Sequence, residues 1–293
     1  MNVGMGCAMR SEEHGRSHRT VVSRYIYSKG DPMSFKTLVQ MAAVTWVLTI
    51  TSPLLAVAQD IKNVVLVHGA WVDGSGWRPV YDILTQKGFS VTMVQEPLTS
   101  FSADVAATKR ILDLQDGPTL LVGHSYGGSV ITEAGIHPKV VGLVYVAAHA
   151  PDAGEDEAAL GRKFHSLLAR TSGSIATTPD GFTYLEHPAF MELFAPDLPR
   201  DRAAFESRSQ IPAAAAIFST PLTVAAWRSK PSWGVVAGND HIINPDLERF
   251  YYARAGARET VIQGASHSVY ASHPSEVAAV IENAARDIGK PSR

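Results

Sequence analysis

The feature that most constrains the fold is the stretch TLLVGHSYGGSVI at residues 119–131. A strand-like apolar run leads into a serine that has a glycine two positions before it and another two positions after it, and a helical pattern follows. Side chains at those two positions would collide on a sharp strand-to-helix turn, so Gly123 and Gly127 leave the necessary room. The pattern predicts that Ser125 is a nucleophile. A phosphate-binding turn is the weaker alternative, because neither GxGxxG nor GxxxxGK(S/T) is present.

Short apolar runs alternate with helical patterns along the rest of the chain. The predicted strands are 63–69, 90–97, 119–125, 140–150, 232–240 and 259–266, and the predicted helices are 77–88, 101–115, 126–137, 245–257 and 274–288. This alternation predicts an α/β fold with a mostly parallel sheet of about six strands and helices on both faces. Residues 151–230 show several short helical pieces and no strand-like run, which predicts a helical lid inserted after the fourth strand.

Composition excludes several classes of protein. A formal net charge of −2 and 18% charged residues give no basic surface for nucleic acid. Cys7 is the only cysteine, so a disulfide framework and a thiolate metal site are both excluded. The histidines show no metal-ligand spacing, and we expect neither a metal nor a cofactor.

Residues 33–58, MSFKTLVQMAAVTWVLTITSPLLAVA, have the pattern of a secretory signal peptide. Lys36 precedes a short apolar stretch, and Ala56 and Ala58 stand at the positions that signal peptidase recognises. The alternative, an anchor that stays in the membrane, is disfavoured because the apolar stretch is short for a span of about 20 residues. We therefore expect a secreted or periplasmic protein without a membrane segment after cleavage, with residues 59–293 as its single domain.

Two further side chains are needed to activate Ser125, because a serine hydroxyl is a poor nucleophile near neutral pH. After this strand–turn–helix arrangement the carboxylate and then the histidine follow along the chain. Asp240 ends the fifth predicted strand and His267 lies in the loop after the sixth. The predicted triad is therefore Ser125, Asp240 and His267, in which Asp240 orients the histidine and His267 removes the serine proton.

Other residues compete for two of these roles. His68 and His124 flank the predicted site and are alternative bases, and Asp152, after the fourth strand, is an alternative acid. The oxyanion of the tetrahedral intermediate also needs main-chain donors. We predict the amide of Tyr126, which follows the nucleophile, and the amide of Ala70 in the HGAW sequence after the first strand.

The motifs VLVHGAW, VGHSYGGSV, GNDHIINPDLERFYYARAGA and GASHSVYASHP together resemble the α/β-hydrolase superfamily over residues 61–290. The chain most resembles the compact branch that contains plant methyl esterases, hydroxynitrile lyases and bacterial esterases of the pyrethroid-hydrolase type. This resemblance implies the α/β-hydrolase fold, the same triad and the same two oxyanion amides. The related lyases carry threonine in place of Gly69 and lysine in place of Ser268, so the resemblance argues against cyanohydrin cleavage.

These observations predict a serine hydrolase that cleaves carboxylic esters of small, largely apolar substrates through an acyl-enzyme. Aromatic residues at Trp71, Phe194, Phe218 and Trp227 are the predicted substrate pocket. The alternatives are a lactonase, an amidase or a cofactor-free perhydrolase using the same triad, and a ligand-binding sensor that keeps the fold. The only partner we expect is the small-molecule ester, and the oligomeric state stays open.

The N-terminal segment yields a testable prediction. Residues 1–32 are polar, basic and without pattern, which suggests either a disordered stretch or an upstream start-site artefact, with translation beginning at Met33. We expect protein purified from its native host to begin at Gln59. Intact-mass and N-terminal peptide analysis measure this directly. Recovery of peptides from residues 1–32 would overturn the start-site hypothesis, and retention of 33–58 would overturn cleavage.

Overall fold

The computed structural model describes residues 61–290, which fall within one compact unit of the chain. The strands are β1 (Asn63–Val67), β2 (Ser90–Met93), β3 (Thr119–Ser125), β4 (Val140–Ala148), β5 (Ile175–Thr177), β6 (Phe182–Leu185), β7 (Ala213–Ala214), β8 (Ser232–Ala237) and β9 (Arg258–Ile262). Six of them form one parallel sheet in the order β2-β1-β3-β4-β8-β9. The predicted sheet is confirmed. Except for β3, the predicted strands extend past the observed ones at their carboxyl ends, where the chain leaves the sheet and enters loops.

Helices cover this sheet on both faces. The α-helices of the described residues are α1 (Arg78–Gln86), α2 (Phe101–Asp113), α3 (Gly127–Ala134), α4 (Glu157–Gly161), α5 (Leu167–Arg170), α6 (His187–Ala189), α7 (Arg200–Arg208), α8 (Pro245–Arg254), α9 (Val269–Ser272) and α10 (Pro274–Gly289), of which α4 to α7 belong to the lid. On β4, Leu143 faces Gly135 at the end of α3, whereas the neighbouring Gly142 faces Ile288 of α10. Because adjacent side chains of a strand point to opposite faces, α3 and α10 lie on opposite sides of the sheet.

The core is a single apolar cluster centred on the middle strands. Every residue of β3 is buried, as are all residues of β8, so these strands are covered on both faces. Strands of this kind read as continuous apolar runs rather than as alternating patterns. This is why the sequence predicted their position and the parallel fold.

The lid differs from the sequence prediction of a purely helical segment without strands. Within residues 151–230, β5, β6 and β7 form a small antiparallel sheet, accompanied by short helices and a π-helix at Phe190–Phe194. The prediction was wrong on this point because strands of two to four residues are too short to produce a recognisable period. The turn sequence Pro179-Asp180-Gly181, with Gly181 at a φ of +88°, was the available hairpin signal.

The predicted leader at 33–58 and the stretch 1–32 lie outside the described residues. Within residues 61–290, no helix has the length and apolar character required to cross a membrane.

Candidate active site

Ser125 stands at the carboxyl end of β3 in a strained conformation, with a φ of +53°. A left-handed backbone is uncommon for a residue other than glycine and points to a functional constraint. The two flanking glycines make the turn possible. A Cβ atom on Gly123 would lie 2.5 Å from the Gly127 carbonyl oxygen, and a Cβ on Gly127 would lie 2.4 Å from the carbonyl oxygen of His68. The steric argument from the sequence therefore matches the structure.

Ser125, His267 and Asp240 form one hydrogen-bonded chain. The Nε2 atom of His267 lies 2.8 Å from Ser125 Oγ, and its Nδ1 atom lies 2.6 Å from Asp240 Oδ2. Because an ionised carboxylate only accepts, Nδ1 carries the proton and Nε2 is left to accept the serine proton. The other oxygen, Asp240 Oδ1, accepts the amides of Ile242 and Ile243 at 2.7 and 2.9 Å. The imidazole and the carboxylate are fully buried.

The loops that carry the acid and the base are joined to each other. The Gly238 amide donates to the Ile262 carbonyl at 3.0 Å, and the Asn239 amide donates to the Ala265 carbonyl at 2.9 Å. These two bonds continue the pairing of β8 with β9 beyond the ends of the strands. Asp240 and His267 are therefore brought together by parallel strands that lie side by side in the sheet.

The lid also holds the histidine loop, through Phe194 and through Asp197, which sequence reasoning missed. The Ser266 hydroxyl donates to Asp197 Oδ1 at 2.5 Å, and the Ser266 amide donates to Oδ2 at 2.9 Å. The Ser268 amide and hydroxyl both donate to the Phe194 carbonyl at 3.1 Å. The ring of Phe194 stands edge-on to the His267 imidazole at 4.7 Å. Only the two serines flanking His267 hinted at this arrangement in the sequence.

The alternative bases are occupied elsewhere. His124 Nε2 donates to the main-chain carbonyl of His267 at 2.9 Å, and burial lowers the pKa of His124 well below its usual range. His68 donates from Nδ1 to the Gly69 carbonyl at 2.8 Å and accepts the Glu96 amide at Nε2, 2.9 Å away. Burial likewise lowers the pKa of His68. Each ring is a fixed neutral tautomer, and the structure places only the ring of His267 in hydrogen-bond contact with Ser125 Oγ.

The alternative acid, Asp152, is bound to a different partner. Both of its carboxylate oxygens accept from Arg228, with Nε 2.8 Å from Oδ1. The hydrogen bond from this guanidinium lowers the pKa of Asp152. Asp152 is therefore paired with Arg228 at the end of the lid, whereas Asp240 is hydrogen-bonded to His267.

The predicted oxyanion donors lie on either side of the nucleophile. Within residues 61–290, neither the Ala70 amide nor the Tyr126 amide donates to a protein acceptor, although both residues are buried. Buried amides are rarely left unpaired, so these two are available for a substrate oxygen. A Cβ on Gly69 would lie 2.7 Å from Ser125 Cβ, so this backbone has no room for the threonine of the related lyases. Trp71, two residues after Gly69, also has a left-handed backbone conformation, with a φ of +66°.

Three of the four predicted pocket aromatics contact this site. Trp71 packs against Phe218 at 5.5 Å, Phe218 packs against Tyr126 at 6.0 Å, and Phe194 contacts His267 as described. Trp71 Nε1 also donates to Thr183 Oγ1 at 3.2 Å, which connects the oxyanion loop to β6 of the lid. These contacts place aromatic rings beside Tyr126, the residue after Ser125, and beside His267.

Trp227, the fourth predicted pocket aromatic, is placed differently. Its Nε1 donates to the Pro151 carbonyl at 3.0 Å. The guanidinium groups of Arg228 and Arg254 lie over its ring at 5.0 and 5.4 Å. These contacts join the two ends of the lid and do not connect Trp227 to the triad.

Buried carboxyl groups near Tyr126 form a second set of residues that the sequence did not reveal. Asp104 Oδ2 accepts the Tyr126 hydroxyl at 2.7 Å. Burial, together with the charge of Asp104, raises the pKa of Glu96 well above its usual range. Glu157 accepts the Ser129 hydroxyl at 2.5 Å, and burial raises its pKa to about 8. Burial therefore favours the neutral form of Glu96 and Glu157, and a neutral carboxyl group does not oppose a negative oxyanion.

The residues described contain no group of three or more histidine, cysteine, aspartate or glutamate side chains arranged to share a metal ion.

A parallel sheet with a strained serine at the end of β3, an aspartate after β8 and a histidine after β9 is the arrangement of an α/β-type hydrolase. A model of the alpha/beta hydrolase family matches residues 64–280, and the chain belongs to this family. The resemblance inferred from the sequence motifs is confirmed.

Known relatives include esterases. The carbendazim-hydrolysing esterase of Nocardioides sp. (strain SG-4G) is 32% identical over 184 residues, which cover 56% of this chain and 74% of that protein. A pyrethroid hydrolase from Sphingobium faniae JZ-2 superposes with a TM-score of 0.64 at 20% identity, covering 77% of this chain and 98% of that structure. A methylesterase from Arabidopsis superposes with a TM-score of 0.64 at 18% identity, covering 78% and 100%. At such low identity the two structures show a common fold.

The raised pKa of Glu157 predicts a dependence of stability on pH. Glu157 keeps its proton to about pH 8 in the folded chain but loses it near 4.5, its ordinary value, in the unfolded chain. Unfolding therefore releases a proton between these pH values, and stability falls as pH rises. We expect Glu157→Gln to reduce this slope by up to about 1.4 kcal/mol per pH unit.

Urea unfolding of the two proteins at pH 5, 6, 7 and 8 measures this slope. Glu259→Gln is the matched control, because Glu259 is exposed on β9. Equal slopes for wild type and Glu157→Gln would show that Glu157 is ionised in the folded protein.

Proposed function

We propose that the protein is a serine esterase that cleaves carboxylic esters of small, largely apolar substrates through an acyl-enzyme intermediate. The observation that carries this proposal is the chain of hydrogen bonds from Asp240 through His267 to Ser125, with distances of 2.6 and 2.8 Å. Membership in the alpha/beta hydrolase family and the esterase activity named for a 32% identical relative support it.

In the first half of the reaction Ser125 Oγ attacks the ester carbonyl while His267 Nε2 takes the serine proton. Asp240 stabilises the imidazolium through Nδ1. The carbonyl oxygen becomes an oxyanion that accepts the amides of Ala70 and Tyr126. His267 then gives its proton to the alkoxide oxygen, the carbon–oxygen bond breaks, and the alcohol leaves.

In the second half a water molecule replaces the alcohol. His267 Nε2 takes a proton from this water, and the resulting hydroxide attacks the acyl carbonyl. The same two amides stabilise the second oxyanion. Return of the proton to Ser125 Oγ releases the carboxylic acid and restores the enzyme, so that one ester and one water yield one acid and one alcohol.

The preference for apolar substrates rests on the surroundings of the oxyanion amides. Trp71 packs against Phe218, Phe218 packs against Tyr126, and Phe194 packs beside His267. Ligand pockets bind apolar groups through burial and orient them through a few polar atoms. Aromatic rings next to Tyr126 and His267 therefore favour an apolar acyl or alcohol group.

A lactonase, an amidase and a cofactor-free perhydrolase would use the same residues. Assays with aryl esters, lactones, aryl amides, and carboxylic acid with hydrogen peroxide separate these activities by their relative kcat/KM. A ligand-binding sensor is the alternative from another class. It would bind an ester with little turnover, and binding would survive removal of the Ser125 hydroxyl.

We also propose that the protein is exported, because residues 33–58 have the pattern of a cleaved leader. This proposal rests on the sequence alone, and the N-terminal mass described above tests it.

Ser125→Ala tests the enzyme assignment. Loss of the nucleophile is expected to lower kcat on an aryl ester by about 10⁶-fold, which is the size of the effect when a serine protease loses its nucleophile. A labelled fluorophosphonate is expected to modify wild type at Ser125 and to leave Ser125→Ala unlabelled, as peptide mapping would show. Equal turnover by the two proteins would falsify the proposal.

A matched pair of substitutions tests the acid. Asp240→Asn is expected to lower kcat by about 10⁴-fold, because the amide no longer holds His267 in the required tautomer. Asp152→Asn only weakens the ion pair with Arg228, so kcat is expected to stay within about twofold of wild type, since partly exposed pairs contribute little. A lower kcat in Asp152→Asn than in Asp240→Asn would instead assign the role of the acid to Asp152.

A further inference from the structure

A fully buried glutamate lies behind the acid of the proposed triad. Glu248 belongs to α8, and its side chain is completely buried. The Ala237 amide donates to Glu248 Oε2 at 3.0 Å, and the Ala237 carbonyl accepts the Asp240 amide at 3.2 Å. One residue at the end of β8 therefore links Glu248 to the turn that holds Asp240.

The second oxygen of Glu248 shows which group carries a proton. Among the residues described, no N–H or O–H group donates to Glu248 Oε1. The Asp240 carboxylate lies close enough to this side chain for its charge, and a hydrogen bond between the two carboxyl groups, to raise the pKa of Glu248. A bond between two carboxyl groups requires one proton, which must lie on one of them.

The surroundings place that proton on Glu248. Asp240 accepts two main-chain amides and His267, and such bonds favour a carboxylate. Glu248 accepts a single amide. Burial, followed by the negative charge of Asp240, raises the pKa of Glu248 well above its usual range, and the charge of Arg249 only partly opposes this.

We propose that Glu248 is a positioning residue that, as a neutral acid, donates a hydrogen bond to Asp240 and fixes the direction of its carboxylate. Glu248 itself does not touch the substrate or the reacting atoms. Its effect on the reaction passes through Asp240 to His267, and this inference therefore rests on the proposed triad. A glutamine at position 248 would keep both bonds, because its amide group can donate to Asp240 and its carbonyl can accept the Ala237 amide.

Three variants test this role. Glu248→Gln is expected to keep kcat within about threefold of wild type. Glu248→Met retains the length of the side chain but can neither donate to Asp240 nor accept the Ala237 amide. Its kcat is expected to fall roughly tenfold to a hundredfold with little change in KM, because small errors of placement have effects of this size. Asp246→Asn, on the exposed side of the same helix, is the control and is expected to match wild type.

The pH profile of kcat separates positioning from a merely structural role. Besides Asp240 and Arg249, the titratable side chain of Tyr252 interacts electrostatically with Glu248. Loss of the Glu248 proton at alkaline pH would place two negative carboxylates in contact. Wild-type kcat is therefore expected to fall at high pH, and Glu248→Gln is expected to lack that decline.

Several outcomes would overturn the proposal. A kcat equal to that of wild type in Glu248→Met would do so. An equal loss of kcat in Glu248→Gln and Glu248→Met would also do so, provided that thermal unfolding shows both variants to be folded. If Glu248→Met does not fold, the comparison of the alkaline profiles of wild type and Glu248→Gln decides, and identical profiles overturn the role. Turnover that survives Ser125→Ala would instead refute the proposed function, so the two failures are distinguishable.

Discussion

The strained backbone of Ser125 is the constraint on which the site depends. Its φ of +53° turns the chain abruptly from β3 into α3 and presents Oγ at the carboxyl edge of the sheet. The turn is possible only because the backbone passes closely at Gly123 and Gly127, where no Cβ would fit. Gly69, in the loop after β1, also allows a close approach, because a Cβ atom there would lie 2.7 Å from Ser125 Cβ. Strain of this kind persists because the buried sheet around it determines the backbone position on both sides.

The lid does more than cover the nucleophile. Asp197 and the Phe194 carbonyl accept hydrogen bonds from the serines on either side of His267, and Trp71 of the oxyanion loop bonds to Thr183 of β6. Two of the loops that form the site are therefore attached to an insertion rather than to the sheet alone. A change in the lid would therefore alter the orientation of His267 and of the loop that carries Trp71.

Buried acids surround the site, and their protonation follows from burial. Glu96, Glu157 and Glu248 all have raised pKa values, with burial as the largest cause. A neutral carboxyl group can donate a hydrogen bond without adding negative charge near the oxyanion. Asp240 differs because its carboxyl group accepts hydrogen bonds from three donors. The site thus combines one carboxyl group that accepts three hydrogen bonds with buried neighbours whose burial favours the neutral form.

The sequence alone determined the parallel sheet, the order of the site residues and the turn at Ser125. These depend on local patterns: apolar runs buried on both faces, and glycines spaced for a close approach. Only the tertiary structure decided that His267 rather than His124 contacts Ser125, that Trp227 lies away from the triad, and that the lid contains β5, β6 and β7. It also revealed Asp197 and Glu248. Their roles depend on side chains distant in the chain meeting in space, and a local pattern carries no information about such contacts.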